Sequence, residues 1–226
     1  MSSLPRQARS ESLAQQGYDT IRRAIRDGRI ARNQYFSEST LAEMLGVSRT
    51  PVREALLNLF RDGVVEIIPK RGYRLVELDE TAIMEIRLLR VALEQLVVGR
   101  LCETATPSDI RELREILKGK GQSQEDMFGI DEAFHIRMAE MAGLYQIRRE
   151  LLSVRAKMYL IASGARVASL RNDNVVKEHA AIVDALEQHD GRKARRLITQ
   201  HVERSIDAFV AARADLLAQQ RLERLS

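Results

Sequence analysis

Four side chains in this sequence could share one cation. Asp131 and His135 stand four residues apart, so a helix places them on one face. Met138 and Ala142 continue that face, which points it inward. His179 falls in line with Ile182 and Leu186, and His201 with Leu197, Ile198, Ser205 and Phe209. The 226 residues hold only four histidines, so three on the apolar stripes of three separate segments is a concentration. One such histidine alone reads more simply as a hydrogen-bonded core imidazole. Three with a carboxylate read as a ligand set for a divalent ion (Zn, Ni, Fe or Mn) gathered from facing helices. The fourth, His189, sits in the polar turn Gln188-His189-Asp190-Gly191 and is expected at the surface. Cys102, the only cysteine, follows Leu101 on an apolar face and reads as a small core residue.

A second group suits polyanions. Ser48-Arg49-Thr50-Pro51-Val52-Arg53 reads as a helix start, with Ser48 or Thr50 as cap and Pro51 in the first turn. Arg49 and Arg53 are one turn apart and share a face. Arginine pairs with phosphate or bonds guanine bidentately, and hydroxyls and free amides at a helix start suit a phosphate oxygen. Further on, Lys70, Arg71 and Gly72 form a basic tip with no side chain at the glycine, which suits close approach to a groove. Either arginine alone is as easily a solvated surface charge.

These groups need elements to hold them. Leu13, Tyr18, Ile21 and Ile25 recur at helical spacing, with Asp27-Gly28 as a stop. Ser37 to Thr40 precede a short helix through Leu45, which Gly46 ends. The next helix runs to Phe60 with Val52, Leu56, Leu59 and Phe60 inward, and Asp62-Gly63 stops it. Val64 to Ile68 and Tyr73 to Val76 are β-branched runs around Pro69-Lys70-Arg71-Gly72, a hairpin. From there the periodicity predicts helices over 80–104, 107–119, 123–142, 144–167, 173–189 and 191–219, punctuated by Pro107, Gly143 and Asp190-Gly191. The fold is therefore expected to be mainly α. An N-terminal helix-turn-helix with a small β-hairpin wing precedes an all-α antiparallel bundle, as a tail over 1–11 and domains over 12–78 and 79–226.

Composition agrees and excludes alternatives. Aromatics are 4%, Trp is absent, and there are 12 Gly and 4 Pro, which disfavours sandwiches and barrels. No apolar run approaches the roughly 18 residues of a membrane span, and one cysteine suits a reducing cytoplasm. Residues 1–76 hold 13 basic against 8 acidic residues, while the rest holds 23 against 24. The positive surplus lies where the helix-turn-helix lies, which points to double-stranded DNA.

The run Leu41-Ala42-Glu43-Met44-Leu45-Gly46-Val47-Ser48-Arg49-Thr50-Pro51-Val52-Arg53-Glu54-Ala55-Leu56 resembles the N-terminal signature of GntR-type bacterial transcription regulators. Leu59, Asp62-Gly63 and Lys70-Arg71-Gly72-Tyr73 continue the likeness into the wing. The resemblance implies DNA contacts by Arg49, Thr50, Arg53 and Gly72. It departs at Ser39, where many members carry an arginine, so operator preference is expected to differ. Leu89 to Glu94, Asp131 to His135, Glu178 to Ile182 and His201 to Ser205 resemble the effector domain of the FadR type, in its six-helix, VanR-like variant. That likeness covers about 80–215. It implies a divalent metal on Asp131, His135, His179 and His201 that helps hold a small organic acid. Gly119-Lys120-Gly121 after a short second helix departs from the usual length.

An arginine in such a pocket would add charge-assisted bonds to a carboxylate; Arg90 is the first candidate and Arg155 the second, each otherwise a surface arginine with its stem on apolar neighbours. The expected protein is a homodimeric, cytoplasmic, one-component regulator, a repressor by analogy, with an inverted-repeat operator and no enzymatic activity. Two alternatives stand beside it. One is a DNA-binding dimer with structural histidines. The other is a metal-dependent enzyme, which the absence of a His-Glu-x-x-His motif disfavours.

Overall fold

The computed structural model describes residues 13–118, 127–163 and 172–223. The expected tail over 1–11, the start of the third C-terminal helix at 123, the Gly119-Lys120-Gly121 segment and the stretch 164–167 lie outside them. The chain divides into two compact units, Met1–Glu77 and Leu78–Ser226.

The first unit runs α1 (Leu13–Arg26), α2 (Glu38–Leu45), α3 (Arg49–Arg61), β1 (Val65–Ile68) and β2 (Gly72–Leu75). Ser37 caps α2, its hydroxyl accepting from the Thr40 N–H at 3.0 Å. Gly46 ends α2 in the left-handed region at φ 67° and sends its N–H back to the last carbonyls. Ile21, Ile25, Leu41, Val52, Leu56 and Leu59 are buried, so α1, α2 and α3 share one core. One expected core position is corrected: Phe60 is 47% exposed. Leu13, at the start of the α1 recurrence, is 69% exposed. Val52, Leu56 and Leu59 already fill the inward stripe of α3, and Phe60 lies about 100° round the helix from Leu59. Leu13 is the first residue of α1.

The strands pair antiparallel from Val65 opposite Leu75 to Ile68 opposite Gly72. Phe36 adds a bridge to Tyr73, exchanging both backbone hydrogen bonds at 2.9 Å. This bridge explains Gly72. Its φ is 99°, and a Cβ there would lie 2.5 Å from the Phe36 carbonyl oxygen. The demand for glycine thus arises inside the domain, whatever the tip approaches outside it.

The second unit is helical throughout its described residues. It comprises α4 (Glu80–Thr104), α5 (Pro107–Lys118), α6 (Met127–Met141), α7 (Tyr145–Ala156), α8 (Met158–Ala162), α9 (Asn172–Glu187) and α10 (Gly191–Glu223). Asp79 caps α4 by accepting from the Ala82 N–H at 2.7 Å. Thr106 and Asp109 bond each other's backbone N–H groups at the start of α5, a capping box. The core runs through Val97, Val98, Leu101, Leu113, Phe134, Met138, Leu151, Ile182, Leu186 and Ile198. Cys102 is buried in it, as expected.

The single helix expected over 144–167 is interrupted. α7 ends at Ala156 and α8 begins at Met158, with Lys157 between them at φ −69° and ψ −20°. Such dihedrals carry no glycine, proline or capping signal, so periodicity alone reads straight through them. None of the described helices is long and apolar enough to cross a membrane.

Candidate metal centre and nucleic-acid surface

α6 presents Asp131 and His135, α9 presents His179 and α10 presents His201. All three imidazoles are buried at 0% exposure. Their facing nitrogens nearly touch: His135 Nε2 is 3.0 Å and His179 Nε2 3.3 Å from His201 Nε2. Asp131 Oδ1 lies 3.2 Å from the Nε2 atoms of His179 and His201 and 3.5 Å from that of His135. None of the approaches to Oδ1 is aligned as a hydrogen bond, so among the described residues Oδ1 is a buried acceptor without a hydrogen-bond partner.

Such an arrangement is costly by itself, since an unmade buried hydrogen bond costs about 1–3 kcal/mol. It fits a cation well. Two donors each about 2.1 Å from one ion stand about 3.0 Å apart at a right angle and about 3.4 Å apart at the tetrahedral angle. The four donor atoms lie within 4.8 Å of one another, and the five separations quoted span 3.0–3.5 Å. Three nitrogens and one oxygen suit Zn, Ni, Fe or Mn.

The surroundings are strongly charged. Arg155 Nη2 holds Asp131 Oδ2 at 2.5 Å. Arg90 Nε donates to Glu94 Oε1 at 2.8 Å, and Arg155 Nη1 is 3.6 Å from the same oxygen. Glu94 Oε2 lies against His135 Nδ1. On the other side, His201 Nδ1 is 2.9 Å from Glu178 Oε2, and Arg204 Nη1 donates to Glu178 Oε1 at 3.1 Å. Arg90 and Arg155 are 1% and 3% exposed, so neither is a surface arginine with a buried stem. Among the described residues Arg90 Nη2 and Arg155 Nε and Nη1 are buried donors without hydrogen-bond partners.

Titration follows from this packing. Burial pushes the Asp131 carboxyl up, but Arg155 and His135 outweigh it and hold it well below the usual range. Glu94 behaves likewise, with Arg90, His135 and Arg155 overcoming burial. Burial lowers His135 despite Glu94 and Asp131. It lowers His179 to about 3, against the opposing pull of the Asp131 carboxylate. For His201 burial also lowers, but the carboxylates of Asp131 and Glu178 beside it win and raise it. Two of the three rings are thus kept neutral, the form in which a histidine ligates.

Sequence reasoning singled out Asp131, His135, His179, His201, Arg90 and Arg155, and the structure brings these six together. It did not single out Glu94 or Glu178. A carboxylate four residues after Arg90 inside Val91-Ala92-Leu93 and Leu96-Val97-Val98 was the available signal for Glu94. His189 is exposed, as expected, with Nδ1 2.8 Å from the Cys102 carbonyl oxygen.

On the first unit, Arg49 and Arg53 project from α3 with side chains 71% and 70% exposed. Both lie 3.8 Å from Glu38. An exposed pair at that distance contributes about 0–1 kcal/mol, so a phosphate or base can displace it. Ser48 occupies the cap position of α3, yet its side chain makes no cap bond, and Thr50 lies within the helix. The expectation that one of them caps is corrected; the amides at this helix start keep no side-chain cap at Ser48. Ser39 is exposed, its hydroxyl 2.8 Å from that of Ser37. At the wing, Lys70 takes φ 65°, and Arg71 donates to Tyr35 Oη at 3.1 Å with its guanidinium over the ring.

A family model described as "Bacterial regulatory proteins, gntR family" matches residues 13–75, and one described as "FCD domain" matches residues 85–204. The chain belongs to the GntR family of bacterial regulatory proteins. This GntR chain is 30% identical over 205 residues to an uncharacterized HTH-type transcriptional regulator of Streptomyces ambofaciens, covering 87% of this chain and 85% of the relative. It is 26% identical to the HTH-type transcriptional repressor RspR of Escherichia coli K12, over 86% and 87% of the two chains. Its fold is similar to that of E. coli McbR/YncC, with TM-score 0.74 and 22% identity over 88% of this chain and 98% of that one. A putative GntR regulator from Rhodococcus sp. RHA1 gives 0.69 at 22% identity, over 89% and 99%. The protein is thus a transcriptional regulator of the GntR type with an FCD domain.

Proposed function

We propose that this regulator binds an inverted-repeat operator as a two-fold homodimer, and that its helical domain (79–226) reads a small organic acid at a divalent metal centre. The convergence of Asp131 Oδ1 with three imidazole Nε2 atoms carries this reading. Asp131, His135, His179 and His201 hold the ion, which when bound supplies positive charge and open coordination positions for a carboxylate. Arg90 and Arg155 orient the acid through buried donors that make no hydrogen bond among the described residues. Effector binding changes DNA affinity only by favouring one arrangement of the paired DNA-binding domains.

In the winged helix (12–78), Arg49 and Arg53 read or clamp the major groove, Ser48 and Thr50 and the amides at the start of α3 receive a phosphate, and Lys70, Arg71 and Gly72 set the wing at the backbone. Dimerisation is supported by α4. Met84, Leu88, Leu89 and Leu96 are 49–60% exposed on one long helix. Ala92 completes a row of apolar residues that this single chain leaves open to solvent. A second copy is the occupant that a two-fold operator requires.

The test is thermal unfolding of chelator-stripped and Zn-, Ni- or Mn-loaded protein against a panel of mono-, di- and hydroxycarboxylic acids. Ligand at about a hundred times its Kd stabilises by about 2.7 kcal/mol, a readable shift. At least one acid is expected to raise the melting temperature of the loaded protein and to leave the stripped protein unmoved. Equal shifts with and without metal would contradict the metal-held effector.

A further inference from the structure

Three imidazoles converge on Asp131, but their far nitrogens are not treated alike. His201 Nδ1 is hydrogen-bonded to Glu178 Oε2 at 2.9 Å, and His135 Nδ1 lies against Glu94 Oε2 in an ion-pair contact that is not aligned as a hydrogen bond. Among the described residues His179 Nδ1 is buried with no hydrogen-bond partner, and its ring stacks on Phe134 at 4.2 Å and 17°. We propose that Glu94 and Glu178 are positioning residues that make His135 and His201 the fixed ligands of the centre, and that the unsupported His179 is its labile ligand. This rests on the metal site proposed above.

One proton per ring decides which histidine can ligate. A neutral imidazole offers its Nε2 lone pair only when the proton sits on Nδ1. Glu178 accepts that proton from His201, and the Glu94 carboxylate against His135 Nδ1 draws the same proton of His135 to that nitrogen, so both carboxylates favour the ligating tautomer beforehand. The same tautomer of His179 leaves a buried N–H donor facing no acceptor. Its other tautomer turns an Nε2–H toward Asp131 Oδ1, 3.2 Å away, and cannot ligate. Ligation therefore has to overcome a preference at His179 that it does not meet at the other two.

The carboxylates are themselves held, and in the same way. Glu94 gives one oxygen to His135 and the other to Arg90. Glu178 gives one oxygen to His201 and the other to Arg204. Each therefore bridges a histidine and a guanidinium, one from α4 and one from α9. Arg155 completes the order by holding Asp131 Oδ2, which turns Oδ1 toward the three rings. If the carboxylates served only to neutralise arginines, their loss would lower stability and leave metal affinity alone.

The experiment is Zn2+ affinity by competition with a chromophoric chelator, measured on the full chain as wild type, Glu178→Gln, Glu94→Gln, His179→Ala and His201→Ala. The metal-free melting temperature is recorded beside it. Each Gln variant is expected to lose about 10- to 100-fold in Zn2+ affinity. Glu178 is partly exposed, so its variant is expected to melt, metal-free, within about 2 °C of wild type even if Glu94→Gln, which leaves Arg90 unpaired, does not fold. His179→Ala is expected to retain at least about tenfold more affinity than His201→Ala. A Glu178→Gln protein with unchanged Zn2+ affinity would overturn the positioning role, and equal losses in the two histidine variants would overturn the labile ligand. A wild-type chain that takes up no Zn2+ would sink the metal centre itself, and this inference with it.

Discussion

Asp131 divides its work between its two oxygens. Oδ2 is held by Arg155, and Oδ1 faces three imidazoles without an aligned hydrogen bond. The residues that do this were visible in the sequence because each sits on an apolar stripe, and a polar residue on such a stripe must find a partner. Their mutual distance was not visible, since no spacing in the chain relates residue 131 to 179 or 201. Glu94 stayed hidden because an acid four residues after an arginine reads as an ordinary surface pair on any helix. Only burial on both sides makes it part of the centre.

The buried groups give a pH signature in the metal-free protein. His179 titrates near 3 when folded and near about 6.5 when unfolded. The unfolded chain therefore takes up a proton that the folded chain refuses, and stability falls as pH drops through that window. His135 acts in the same direction, while His201, raised, opposes them by favouring the folded state below about 6.5. Asp131 and Glu94, both lowered, lose their stabilising contribution as pH falls below about 4. The melting temperature of chelator-stripped protein should thus fall most steeply below about pH 4, and a flat profile there would contradict the buried charges. On the first unit, Arg49→Ala and Arg53→Ala should each weaken specific operator binding by about 1–3 kcal/mol in a gel-shift titration while the fold survives. Unchanged affinity for both would remove α3 from the interface.

At the level of elements, helices with punctuation at both ends were legible. Ser37 and Gly46 bracket α2, Asp79 opens α4, and the Thr106-Asp109 box opens α5. The break at Lys157 was not, because ordinary helical dihedrals leave no trace in residue type. Phe60 misled for a related reason: apolar type predicts burial only where the inward stripe still has room. In the wing, the glycine that suits close approach to a groove is also required by the fold itself. Gly72 is fixed by its φ of 99° and by the Phe36 carbonyl. Gly72→Ala should therefore destabilise the first unit by more than about 1 kcal/mol in thermal unfolding, even without DNA. If stability is unchanged, the Phe36–Tyr73 bridge does not constrain the hairpin.

For the whole molecule, the charge division is the broadest reading. The surplus of basic residues lies in the first 76 positions, and the remainder is nearly balanced. Operator affinity should therefore fall steeply with added salt. The exposed row on α4 makes a separate statement about assembly. Leu88→Arg is expected to convert a dimer to monomer in light scattering, with little change in helix content and a large loss of operator affinity. A variant that remains dimeric would move the interface away from α4.

The central claim is that Asp131, His135, His179 and His201 form one metal centre. It is tested most directly by metal analysis of protein prepared without chelators and then dialysed against Zn2+, Ni2+ or Mn2+. The account predicts about one tightly held ion per wild-type chain and none in His201→Ala or Asp131→Ala. A wild-type chain that retains no divalent ion, or a His201→Ala chain that retains a full one, would contradict it.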